Sequence, residues 1–142
     1  MLSKPESGFV QFKLKDSSSY YLGYEDDIPF DWIKQTIHGL ETGLPFCVVG
    51  ETDPGTCICV VGWNCHILLE RDRDSVRAGQ IQHEYIPMNM TEFAKNLYTD
   101  ISVNLEDWAG FHWAASENEI PERKEKLRQL LVRLKELIDE KA

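Results

Sequence analysis

The chain has 142 residues, 42% of them apolar and 11% aromatic, with a formal net charge of −9. That is enough chain and apolar surface to bury a core, which excludes wholesale disorder, and no apolar run approaches the ~20 residues of a membrane span. The charge is unevenly placed: residues 1–120 hold 19 Asp+Glu against 8 Lys+Arg, a balance of −11, whereas residues 121–142 hold 5 against 7.

Residues 9–15 alternate, with Val10, Phe12 and Leu14 on one side and Gln11, Lys13 and Lys15 on the other, which predicts a half-buried strand. Asp16-Ser17-Ser18-Ser19 reads as a hairpin loop, and Tyr20, Leu22 and Tyr24 mark a second strand over 20–24. A helix is predicted from about Pro29 to Leu40, with Pro in its first turn and Asp31 at the positive end of its dipole. Its apolar stripe is Ile28, Trp32, Ile33, Thr36, Ile37 and Leu40, and Gly39 and Gly43 are candidate stops. A strand at 46–49 and a returning strand at 57–63 flank the turn Asp53-Pro54-Gly55. A pivot on Asp53 sets Cys47 opposite Cys59. Further strands are predicted at 65–70 and 80–86, with a polar loop from Arg71 to Gly79 between them.

A second helix is predicted at about 90–101, started by Asn89 with Glu92 at capping-box spacing. Met90, Phe93, Ala94, Leu97, Tyr98 and Ile101 form its apolar face. Residues 102–120, with Trp108, Phe111 and Trp113, read as an ordered loop or a short turn of helix. A last helix from about Pro121 carries the stripe Leu127, Leu130, Leu131, Leu134, Leu137 and Ile138. The expected fold is α+β: a mostly antiparallel sheet of five to six strands, helices packed on one face, and a C-terminal helix. One domain is expected over 1–142, an acidic body at 1–120 with a docked helix at 121–142.

Cys47, Cys57, Cys59 and Cys65 fall close together beside His66. The start Met1-Leu2-Ser3-Lys4-Pro5-Glu6 has no apolar h-region, so a cytoplasmic location with free thiols is expected. The Cys-x-Cys spacing places both side chains on one face of a strand, about 7 Å apart, which suits co-ligation of zinc poorly. Packed core thiols are the expected reading, and no cofactor, metal or catalytic residue is assigned. The run Glu70-Arg71-Asp72-Arg73-Asp74 carries its own neutralising arginines and reads as a solvated loop.

The acid clusters elsewhere. Asp26, Asp27, Asp31, Glu51 and Asp53 gather around the first helix and the central turn, and Glu106 and Asp107 adjoin Trp108. Acid beside an exposed aromatic suits a basic protein partner, since charge steers encounter and the aromatic anchors the contact. The same acid repels nucleic acid and anionic membrane.

Ile28-Pro29-Phe30-Asp31-Trp32-Ile33 is similar to the Leu-Pro-x-x-aromatic helix start of the SUKH superfamily of bacterial immunity proteins. The segment from Tyr85-Ile86-Pro87 through Phe93 to Leu97 resembles that family's late strand and following helix. Pro45-Phe46 and Asp53-Pro54-Gly55 have counterparts in some members. The chain departs from the family in opening on two strands and in carrying Met90 where a Phe-x-x-Phe pattern would continue. Size, acidity and a Trp-bearing helix equally resemble the contact-dependent-inhibition immunity proteins. The resemblance implies a toxin-neutralising protein and no individual residue roles.

The expectation is therefore an immunity or antitoxin-type protein, not an enzyme, that neutralises a basic effector, most naturally a nuclease toxin. Its candidate contacts are Asp26, Asp27, Asp31, Glu51, Asp53, Glu106, Asp107 and Trp108. Two alternatives stay open: a small enzyme or metal-binding protein with a Cys/His centre, and a homo-oligomeric module joined through Leu127, Leu134 and Ile138. The chain is expected as a monomer or homodimer.

Overall fold

The computed structural model describes residues 1–71, 79 and 81–141. The element order is β1 (Phe9–Phe12), β2 (Tyr20–Gly23), α1 (Ile28–Thr42), β3 (Phe46–Glu51), β4 (Thr56–Val61), β5 (Cys65–Glu70), β6 (Gln82–Ile86), α2 (Met90–Val103), α3 (Leu105–Ala109) and α4 (Ile120–Lys141). A single 3-10 turn at Glu117–Glu119 leads into α4. The architecture is α+β, as the element pattern predicts, but the strands divide into two sheets. β1 and β2 form a two-stranded ribbon, and β3-β4-β5-β6 form an antiparallel meander of four. The single sheet of five to six strands is thus corrected: among the described residues β1 and β2 pair with each other and with the N-terminal segment, through Ser3 N–H to Gln11 O and Lys13 N–H to Met1 O.

α1 begins as the sequence dictates, with Pro29 in its first turn and Asp31 beside it. It ends where Gly43 takes φ 72° and donates its N–H to Gly39 O at 2.8 Å. Gly39 has a second role: a Cβ there would collide with the Phe46 ring, so glycine lets α1 lie close against β3. α2 is capped by Asn89, whose Oδ1 accepts the Glu92 N–H at 2.9 Å. Phe93, Ala94, Leu97 and Ile101 of its predicted stripe are buried.

The inner face of the meander, the ribbon and all four described helices share one core. Trp32 is at its centre, edge-on to Phe12 at 5.1 Å and against Phe93 at 6.3 Å. Its Nε1–H donates to Val49 O at 2.9 Å, which ties α1 to the edge strand β3. Glu84 points inward on β6 and is satisfied there, accepting from Ser18 N–H at 3.0 Å and from Tyr20 Oη–H at 2.7 Å.

Residues 102–120 contain a short turn of helix, one of the two readings the sequence allows: α3 forms about one and a half turns around Trp108. That side chain is 0% exposed and meets Phe111 at 5.1 Å. The expectation of Trp108 as a surface anchor is corrected accordingly. α4 docks on the body: Leu127, Leu131, Leu134, Leu137 and Ile138 are buried within the chain, so the residues proposed as a homotypic seam are already used. Arg123 fastens the helix, donating to Ala109 O at 2.7 Å and to Asp27 Oδ1 at 2.8 Å while lying over the Phe30 ring.

Replacing Trp108 by Ala is expected to destabilise the fold by about 3–5 kcal/mol in urea denaturation. A loss below about 1 kcal/mol would contradict its burial.

Candidate functional site

The two faces of the meander differ. Val48, Cys57, Cys59, Val61, Cys65, Ile67, Leu69 and Ile86 point into the core. The register pairs Val48 with Cys59 and Cys47 with Val60. The sequence-based pairing of Cys47 with Cys59 is therefore off by one residue, which in a strand changes the face. Cys47 is exposed, whereas Cys57, Cys59 and Cys65 are buried thiols. Burial and the nearby Glu84 push the Cys57 thiol up to about 12. The hydrogen bond to Cys65, together with burial, also raises Cys59. Cys65 donates to Met88 O at 3.2 Å. His66, by parity, lies on the opposite face from these three thiols, so the Cys/His centre is divided across the sheet. Among the described residues no group of three or more His, Cys, Asp and Glu is placed to hold a metal ion.

The outer face carries two cross-strand rows. One runs Cys47, Val60, His66, Tyr85; the other runs Val49, Ile58, Leu68, His83. No described helix packs on it. Val60 is 37% exposed and Tyr85 70% exposed. Trp63, at the β4–β5 turn beyond one end of the face, is 93% exposed. Ile58, His66 and Leu68 between them are half-buried, so among the described residues the face is partly exposed and largely apolar.

At the end of the face opposite Trp63 lies Glu51, the next outward position along β3 after Val49, paired with Thr56, whose hydroxyl donates to Glu51 Oε2 at 3.0 Å. Glu51 is close enough to Asp26 to act on it electrostatically, as are Asp31 and Glu25. Asp26 is half-buried, and its Oδ2 is buried without a hydrogen-bond partner. Burial first, then Glu51, Asp31 and Glu25, hold its carboxyl above the usual range, against the opposing pull of the Glu51 main chain. Asp31 is raised by burial and by Asp27, with Lys34 and His112 acting the other way.

Asp31 and Glu51 are therefore both close enough to act on Asp26, where the start of α1 meets the end of β3. Asp27 adjoins them, but Arg123 takes its charge in an ion pair of 2.8 Å that fastens α4. Asp53 is exposed in the β3–β4 turn just beyond Glu51. Glu106 and Asp107 are exposed on α3, where Asp107 lies 4.0 Å from Lys4 and lines a separate groove of about 450 Å³ with Tyr24 and Phe111. Asp72, Arg73 and Asp74 of the polar run lie outside the described residues.

Sequence reasoning missed the outer face itself: Val49, Ile58, Val60, Trp63, His66, Leu68, His83 and Tyr85. A signal was present. β3, β4 and β5 carry apolar side chains at both parities, as in Cys57-Ile58-Cys59-Val60-Val61, where a sheet with one solvated face would alternate. Comparison with protein-family models, with curated proteins and with solved structures finds no match.

Asp26 gives a pH signature. The unfolded carboxyl titrates near 3.8 and the fold raises it, so the ionised form opposes folding. That cost is absent below the unfolded value and grows as pH rises towards the folded one. Asp26→Asn is expected to raise the thermal midpoint at neutral pH, with the gain vanishing below pH 3.8. A gain that persisted undiminished in acid, or a loss at neutral pH, would contradict the assignment.

Proposed function

We propose that the chain is an immunity or antitoxin-type protein that binds and neutralises a basic effector, of the nuclease-toxin kind. The observation that carries this reading is the continuity of two unlike surfaces: an open apolar sheet face and, at its Glu51 end, the Asp26–Asp31–Glu51 cluster. Each has a cost to the isolated chain, one in exposed apolar area and the other in mutual repulsion and burial of carboxylates. A basic partner relieves both at once. Its Lys and Arg side chains offset the mutual repulsion of the carboxylates, and its apolar surface covers Val49, Val60 and Tyr85. A second copy of the chain fits less well, because docking two such faces would bring like charges together.

Tyr85 and Trp63 replace Trp108 as the aromatic anchors, and Asp26, Asp31 and Glu51 act as the electrostatic contacts. Glu106 and Asp107 steer at longer range as part of the acidic body. Cytoplasmic location belongs to the same reading.

The test is association with the product of the reading frame adjacent to the gene, measured against salt. Binding is expected to weaken steeply as salt rises and to be lost when Asp31 and Glu51 are both changed to Lys. Tyr85→Ala is expected to cost about 2 kcal/mol, or ~30-fold in Kd. Salt-insensitive binding, or binding that survives the double charge reversal, would overturn the reading.

A further inference from the structure

The outer face holds one feature that protein docking does not require. His66 on β5 and His83 on β6 are diagonal neighbours across the strand pair, since the register sets His66 opposite Tyr85 and Leu68 opposite His83. His66 Nε2 lies 3.3 Å from His83 Nδ1. Two imidazole nitrogens bound to one tetrahedral zinc ion, each at ~2.0–2.1 Å, stand about 3.3–3.4 Å apart. The two nitrogens are thus already at the separation that one ion would set. Tyr85 stacks on the His66 ring, with centroids 4.0 Å apart and planes 15° from parallel, which fixes the plane of that ligand.

We propose that His66 and His83 form a bidentate site on the outer sheet face for a divalent transition ion of the zinc and copper class. Imidazole selects these ions over calcium and magnesium, which take oxygen ligands. The nitrogen that bears the hydrogen between the rings gives up that role on binding. The proton moves to the other nitrogen of its ring, so both facing lone pairs reach the metal without a change in charge.

Among the described residues the chain supplies two ligands and leaves the other positions open. Cys47 shares the row of His66 but is two strands away, about 10 Å at the usual strand spacing. Glu84 lies between the two histidines in register but points inward, where Ser18 and Tyr20 hold it. The open positions face solvent on the surface assigned above to partner docking. The site itself does not rest on that assignment.

The full-length chain, stripped with chelator, is titrated with zinc chloride by calorimetry. One ion per chain is expected. Both histidines stand on the outer face, so His66→Ala and His83→Ala should retain the fold. Each is expected to weaken binding by more than about tenfold, the low end of what losing even an outer hydrogen-bond partner of a ligand costs. Cys47→Ser should leave the affinity unchanged. As a second readout on the unaltered chain, substoichiometric Cu²⁺ should broaden the His66 and His83 ring resonances first. Absence of saturable zinc binding, binding that survives loss of both histidines, or broadening centred on Cys47 or the N-terminal amine would overturn the proposal.

Discussion

The structure is organised around the indole of Trp32. One side chain on α1 touches Phe12 of the ribbon and Phe93 of α2, and donates its Nε1–H to Val49 O on β3. Few groups can do both: the ring supplies apolar area to two other elements, and the N–H takes a carbonyl of an edge strand. The consequence reaches the surface. With β3 held by its main chain at Val49, the Val49 side chain faces outward, and so do the residues in its row on β4, β5 and β6. The inner hydrogen bond and the outer face are one register seen from two sides.

That register explains why strands apolar at both parities do not lead to a doubly covered sheet. α1, α2, α3 and α4 pack on the inner side and on one another, and Arg123 locks α4 to α1 and α3 through Asp27 and Ala109. Among the described residues no helix covers the apolar side chains at the other parity. Burial and the neighbouring carboxylates raise the Asp26 carboxyl, so its ionised form opposes the fold rather than contributing to stability.

Much of the fold was legible in the sequence because its signals are local. Asn89 with Glu92, Pro29 with Asp31, and the leucine spacing of α4 each report on a few neighbouring residues, and each helix forms where those signals stand. The strand positions were legible too, but not their grouping: whether Phe9–Phe12 joins the meander depends on Trp32 and Phe12 meeting, which no local pattern records. The Cys47–Cys59 pairing failed for a comparable reason. A hairpin pivot displaced by one residue looks the same in composition yet exchanges the two faces. Of the candidate contacts, Asp26, Asp31 and Glu51 converge, Asp27 is absorbed by Arg123, and Trp108 is core. A tryptophan without periodic neighbours carries no sign of which side of the surface it occupies.

The central claim is that the outer face of β3–β6, with its acidic end, is where the partner sits. The most direct measurement is chemical-shift mapping of the labelled chain as the basic effector is added. The largest changes are expected at Val49, Ile58, Val60, Leu68 and Tyr85, extending to Asp26 and Glu51. Changes centred instead on the groove of Tyr24, Asp107 and Phe111, with the outer sheet face unmoved, would contradict it.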